Sequence, residues 1–114
     1  MLSGGQFSLQ AEGELAVQAN AAPPLIVEQS YAVRDVYATM REGPSGAPVQ
    51  LRLRVDDEIY CEMTVPSGST VSDIISGFDK KPLPAQSVLA LEIVAVGQES
   101  GQTPGRDLTV TVRL

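Results

Sequence analysis

The densest group of side chains able to do chemistry is Asp56-Asp57-Glu58, three consecutive carboxylates between two apolar, alternating stretches. Clustered carboxylates on a loop suit a hard cation such as Ca²⁺. The run has neither an EF-hand nor a nonapeptide spacing, and Asp is a common turn former. It is therefore read as a solvated hairpin tip, with no metal and no cofactor expected. Asp35, Glu62, Asp73 and Asp79 are separate carboxylates that could pair for glycoside hydrolysis. A chain with 14 acidic residues offers such pairs by chance. Histidine is absent, which removes the commonest general base and metal ligand and excludes Ser-His-Asp and Cys-His sites within this chain. Cys61 is the one thiol, so no internal disulfide forms. It alternates in phase with Ile59, Met63 and Val65 and reads as a small buried apolar residue rather than a nucleophile. Gly101-Gln102-Thr103-Pro104-Gly105 lacks the Lys-Ser/Thr ending of a phosphate loop and leads into a strand pattern, so it is a turn. No catalytic residues emerge and no enzyme is expected.

The remaining candidates are aromatic. Tyr31, Tyr37 and Tyr60 fall on or near outer faces, and Tyr37, Arg54 and Tyr60 are the residues expected to mark an interaction surface. The plainer reading of Arg54 and Tyr60 is a ring covering an arginine stem. Tryptophan is absent and aromatics are few, so the core must be Val, Leu, Ile, Ala and Met. That scarcity argues against a platform of several stacked rings for sugars or bases. A net charge of −6 makes nucleic acid and anionic membrane poor partners. No apolar run is long enough for membrane insertion. Met1-Leu2-Ser3-Gly4-Gly5 shows no basic segment or apolar block, so synthesis in a cytoplasm without a signal peptide is expected.

These side chains must be positioned by strands. Val49–Val55 alternates without a fault, with Val49, Leu51, Leu53 and Val55 inward and Gln50, Arg52 and Arg54 outward. Val36, Ala38 and Met40 form another apolar face, opposite Asp35, Tyr37, Thr39 and Arg41. Leu108, Val110, Val112 and Leu114 form a third, alternating with Thr109, Thr111 and Arg113. Ile59–Val65 alternates in the same way, Val88–Val96 is dense enough for a central strand, and Leu25–Glu28, Thr70–Ile75 and Gln6–Gln10 are shorter strands. Pro/Gly turns separate them, as in Gly43-Pro44-Ser45-Gly46 and Pro66-Ser67-Gly68. The sum predicts an all-β protein, an antiparallel β-sandwich of about eight strands. Residues 1–24, ending in the Ala/Pro stretch, are an N-terminal arm or first edge strands; residues 25–114 are the sandwich domain.

One register can be argued. A two-residue turn at Asp56-Asp57 with regular pairing would set Leu51 opposite Glu62, polar against core. A three-residue connection through Glu58 pairs Val55 with Ile59, Leu53 with Cys61 and Leu51 with Met63, and outside pairs Arg54 with Tyr60 and Arg52 with Glu62.

The order of turns from about Val33 to Leu114 resembles a small jelly-roll-like domain of bacteriophage tail fibre, tail-tip and virion decoration proteins. The matching pieces are Gly43-Pro44-Ser45-Gly46-Ala47, Val65-Pro66-Ser67-Gly68-Ser69, and Pro104-Gly105-Arg106-Asp107-Leu108 opening the last strand. The resemblance implies a non-enzymatic structural or host-attachment component, located in a virion or phage-like particle. It also implies partners: further copies of the chain, as a homotrimer, and other virion or tail subunits. The alternative is a carbohydrate-binding β-sandwich module that recognises a cell-surface glycan.

Overall fold

The alternating stretches form eight strands in the computed structural model, which describes residues 5–114. They are β1 (Gln6–Glu14), β2 (Leu25–Ile26), β3 (Asp35–Glu42), β4 (Val49–Val55), β5 (Glu58–Val65), β6 (Ile75–Ser76), β7 (Val88–Ala95) and β8 (Arg106–Arg113). Among the described residues there is no helix. The expectation about a leader at Met1-Leu2-Ser3-Gly4 lies outside the described residues.

One sheet has the order β1-β8-β3-β6 and the other β2-β7-β4-β5. Every pairing is antiparallel, and β1 meets β8, β2 meets β7, β3 meets β6 and β4 meets β5. The chain is thus one long hairpin, tipped at the β4–β5 turn and rolled so that its pairs alternate between two sheets. This is a jelly roll, and it agrees with the sandwich expected from alternation.

The inward positions meet between the sheets. Leu9, Val36, Ala38, Leu108, Val110 and Val112 face Leu51, Leu53, Cys61, Met63, Leu89, Leu91 and Ile93, all buried. Each large side chain contributes about 1.5–3 kcal/mol by leaving water. Connecting segments add Leu15, Ala22, Val27, Val33 and Leu83. Residues after β1 cross from one sheet to the other: Leu15 donates its N–H to Gly105 O, and Gln18 exchanges both backbone bonds with Ile93. Tyr31 does not stand on an outer face. It packs edge-on against Phe7, ring centroids 5.4 Å apart, at an end of the core.

Three local expectations need correction. The β4–β5 connection is the two-residue turn, not the three-residue one. Asp56 and Asp57 both have left-handed backbones, φ 50° and 67°, as a type I′ hairpin demands. Val55 therefore pairs with Glu58 and Arg54 with Ile59. A bulge at Tyr60 then restores Leu53↔Cys61, Arg52↔Glu62 and Leu51↔Met63. In consequence Ile59 turns outward and is 53% exposed. Second, Thr70–Ile75 is not a continuous strand. The Ser72 hydroxyl accepts the Ala38 N–H at 2.8 Å, so a side chain replaces a backbone rung before β6 begins. Third, Leu25–Glu28 is a strand only over its first two residues.

Candidate functional site

Four of the carboxylates considered for chemistry, Asp35, Asp56, Glu62 and Asp73, hold structural partners. Asp56 Oδ1 accepts the Val88 N–H at 2.9 Å, which ties the hairpin tip to the start of β7. Asp35 makes a two-pronged contact with Arg113, both bonds 2.6 Å, and this hydrogen-bonded guanidinium holds its carboxyl below the usual range. Glu62 pairs with Arg52 at 3.1 Å, and Asp73 accepts the Thr64 N–H at 3.1 Å. Among the described residues no three such groups gather as a metal site. Cys61 is 5% exposed, and burial pushes its thiol up to about 12. A thiol so protonated is a poor nucleophile.

The three residues expected to mark a surface are not brought together. Tyr37 lies on β3, in the β1-β8-β3-β6 sheet. Arg54 lies on β4, in the other sheet, where Nε donates to Glu92 Oε1 at 2.8 Å and Nη1 donates to Asp57 O at 3.0 Å. Tyr60 sits at the bulge of β5, an edge strand, and does not cover Arg54. Its ring instead carries the Lys80 ammonium, 5.4 Å from the centroid. Its hydroxyl is shut off from solvent and has no hydrogen-bond partner among the described residues, and burial raises its pKa to about 12.

The outer face around Tyr37 is the more extensive arrangement. β8 lies between β1 and β3, so cross-strand register builds rows three residues wide. They are Gln6–Arg113–Asp35, Ser8–Thr111–Tyr37 and Gln10–Thr109–Thr39. With neighbouring strands about 4.8 Å apart and same-face residues about 7 Å apart, the rows cover a patch of roughly 10 × 14 Å. Arg113 lies over the Tyr37 ring, 5.0 Å from its centroid, while gripping Asp35. The patch thus offers amides, the hydroxyls of Ser8, Thr39 and Thr109, one ring and one fixed ion pair, while Thr111 at its centre is buried beneath its neighbours, 6% exposed. Beyond the third row the face deepens into a groove of about 700 Å³, lined by Gln10, Glu12, Thr39, Arg41, Asp107 and Thr109 among others. Asp107 is left-handed, φ 55°, and its carboxylate accepts the Gly13 N–H at 2.7 Å, which fixes the groove wall where β1 bulges. Gly105, two residues earlier, has φ +83°, and a Cβ there would run into Met40 and the Glu42 carbonyl. The turn before β8 therefore requires glycine.

Sequence reasoning missed most of this face. Alternation put Thr109, Thr111 and Arg113 outward, but nothing local to the chain placed β1 and β3 on either side of them. It also missed Lys80, whose loop shows no strand pattern.

No family model and no curated protein matches the chain. Solved structures do. The CBM36-1 domain of a multidomain xylanase from the hindgut metagenome of Trinervitermes trinervoides superposes with a TM-score of 0.55 at 11% identity, covering 94% of this chain and 96% of that one. The globular domain of zebrafish complement 1qA protein gives a TM-score of 0.50 at 14% identity, covering 97% and 96%. Neither is a phage protein, so the phage resemblance stands on its turn motifs alone. At these identities the likeness is one of fold, and the fold shared over nearly the whole length of each chain is the jelly-roll β-sandwich.

Proposed function

We propose that this chain is a non-catalytic recognition module that binds a glycan on the outer face of the β1-β8-β3-β6 sheet. The observation that carries this reading is the set of three polar rows with the groove at their end. Amide, hydroxyl, carboxylate and guanidinium groups converge on one face, and a polyol is a ligand that can use donors and acceptors at such density. Tyr37 adds a ring that can lie against a sugar. The acidic chain favours a neutral or cationic saccharide over a polyanionic one. A xylanase's carbohydrate-binding module shares the fold, which supports the reading without naming the sugar.

A glycan array probed with the purified chain tests it. Reproducible binding to one glycan class is expected, weakened about tenfold by Tyr37→Ala, the loss of one buried ring contact. Tyr37 is half-buried at the surface, and circular dichroism of the variant is the check that it folds. Binding unchanged by Tyr37→Ala would move the site elsewhere. Absence of binding to every class, together with a trimer in light scattering, would favour the particle-subunit reading instead.

A further inference from the structure

A second cleft, of about 470 Å³, shares no lining residue with the polar rows and lies between the β4–β5 hairpin and the Lys80–Pro84 segment. That volume is in the range of small-molecule sites. Its lining is mainly apolar: Val55, Ile59, Tyr60, Pro82, Leu83 and Pro84. Lys80 and Lys81 stand on one wall, with Asp56 and Glu58 on the hairpin side.

Most cations on this chain stand beside an anion, and the two lysines of the cleft do not. Among the described residues, Arg34, Arg41, Arg52, Arg54 and Arg113 all have a carboxylate within 4.0 Å. Neither lysine does, and Arg106, on the wall of the other groove, is the third cation without one, although the chain carries six more negative than positive charges. Of the two acids in the cleft, Asp56 is committed to the Val88 N–H. Lys80 has come to rest over the Tyr60 ring instead. Ile59 was turned outward by the bulge at Tyr60, so the same irregularity that breaks the β4–β5 ladder supplies the apolar wall.

The geometry points to a binding site for a small amphipathic carboxylate. The carboxylate meets Lys80 and Lys81, and the apolar body lies along Ile59, the Tyr60 ring and Pro82. Two ammonium donors suit one anionic head through charge-assisted hydrogen bonds. Moving the Lys80 ammonium onto the anion uncovers the ring face for the body of the ligand.

Titration of the whole, isotope-labelled chain with 4-phenylbutyrate, followed by amide NMR shifts, tests this. Its neutral isostere 4-phenylbutyramide is the control. Saturable shifts confined to residues of the cleft are expected, with a dissociation constant in about the millimolar range for so small a ligand. The amide should bind about tenfold more weakly, as should phenylbutyrate to the Lys80→Met, Lys81→Met double variant. Lys80→Arg should restore binding. Both lysines are at the surface, so these variants retain the fold. Equal binding of acid and amide, or undiminished binding by the double variant, would overturn the proposal, as would shifts that never saturate.

Discussion

Replacing Tyr60 by Phe should make the protein more stable. The hydroxyl oxygen of Tyr60 is sealed from solvent, and no donor or acceptor among the described residues meets it. An unsatisfied buried polar group costs about 1–3 kcal/mol. Phe keeps the ring, its packing and its place beneath Lys80, and removes only the oxygen. The void left is roughly 10 Å³, which costs about 0.2 kcal/mol. The net gain is therefore about 1–2 kcal/mol. Urea unfolding reads it as a rise in midpoint of about 1 M at unchanged slope, for a slope of roughly 1–2 kcal/mol/M. A pH series adds an independent arm. Burial favours the neutral phenol, so the folded pKa, about 12, lies above the ordinary value near 10. Above pH 10 the phenol ionises more readily in the unfolded chain than in the folded one, so stability is unaffected below pH 10 and falls as the pH rises toward about 12. Tyr60→Phe should lack this loss, and the alkaline slope that persists belongs to Cys61, which also titrates near 12. A variant less stable than the parent by about 1 kcal/mol would refute the reasoning, since it would mean that the hydroxyl makes a net favourable hydrogen bond.

Cys61 should resist a thiol reagent in the native state and react fully once denatured, because it is 5% exposed and its thiol is held protonated by burial; fast stoichiometric labelling of the folded chain would contradict its inward placement. Asp57→Gly should stabilise by about 0.5–1 kcal/mol in thermal or urea unfolding, because residue 57 holds φ 67° and glycine adopts that backbone without strain; the backbone carbonyl that receives Arg54 is kept. Asp35, its carboxyl lowered mainly by the Arg113 hydrogen bond, contributes stability above its ordinary pKa of 3.8 that is lost as the pH falls through the folded value. The acid limb of a stability–pH profile should flatten in Asp35→Asn, and an unchanged limb would place the acid sensitivity elsewhere.

Period-two alternation in β3, β4, β5, β7 and β8 is a local property, because a side chain's face in a strand depends only on its parity. That is why strand identity, the composition of the core and the burial of Cys61 were legible in the sequence. So was the far end of the β4–β5 register, since Leu51 and Leu53 must oppose apolar partners. The near end was not. A tight Asp56-Asp57 turn and a one-residue bulge together give the same far register as a three-residue loop, and only packing separates the two. Asp56 clamps the tip to Val88, a residue 32 positions away. Arg54 reaches across to Glu92 on β7. Tertiary structure alone also decided what lies beside what. Tyr37 and Tyr60 look alike in the sequence, each an outward aromatic on an alternating strand. The roll of the chain puts one in the middle of a polar face between β8 and β6 and the other at the edge of the opposite sheet beneath Lys80. The physical reason is that strand pairing joins residues as far apart as Gln6 and Arg113, and no local pattern records which distant strand will supply the partner hydrogen bonds.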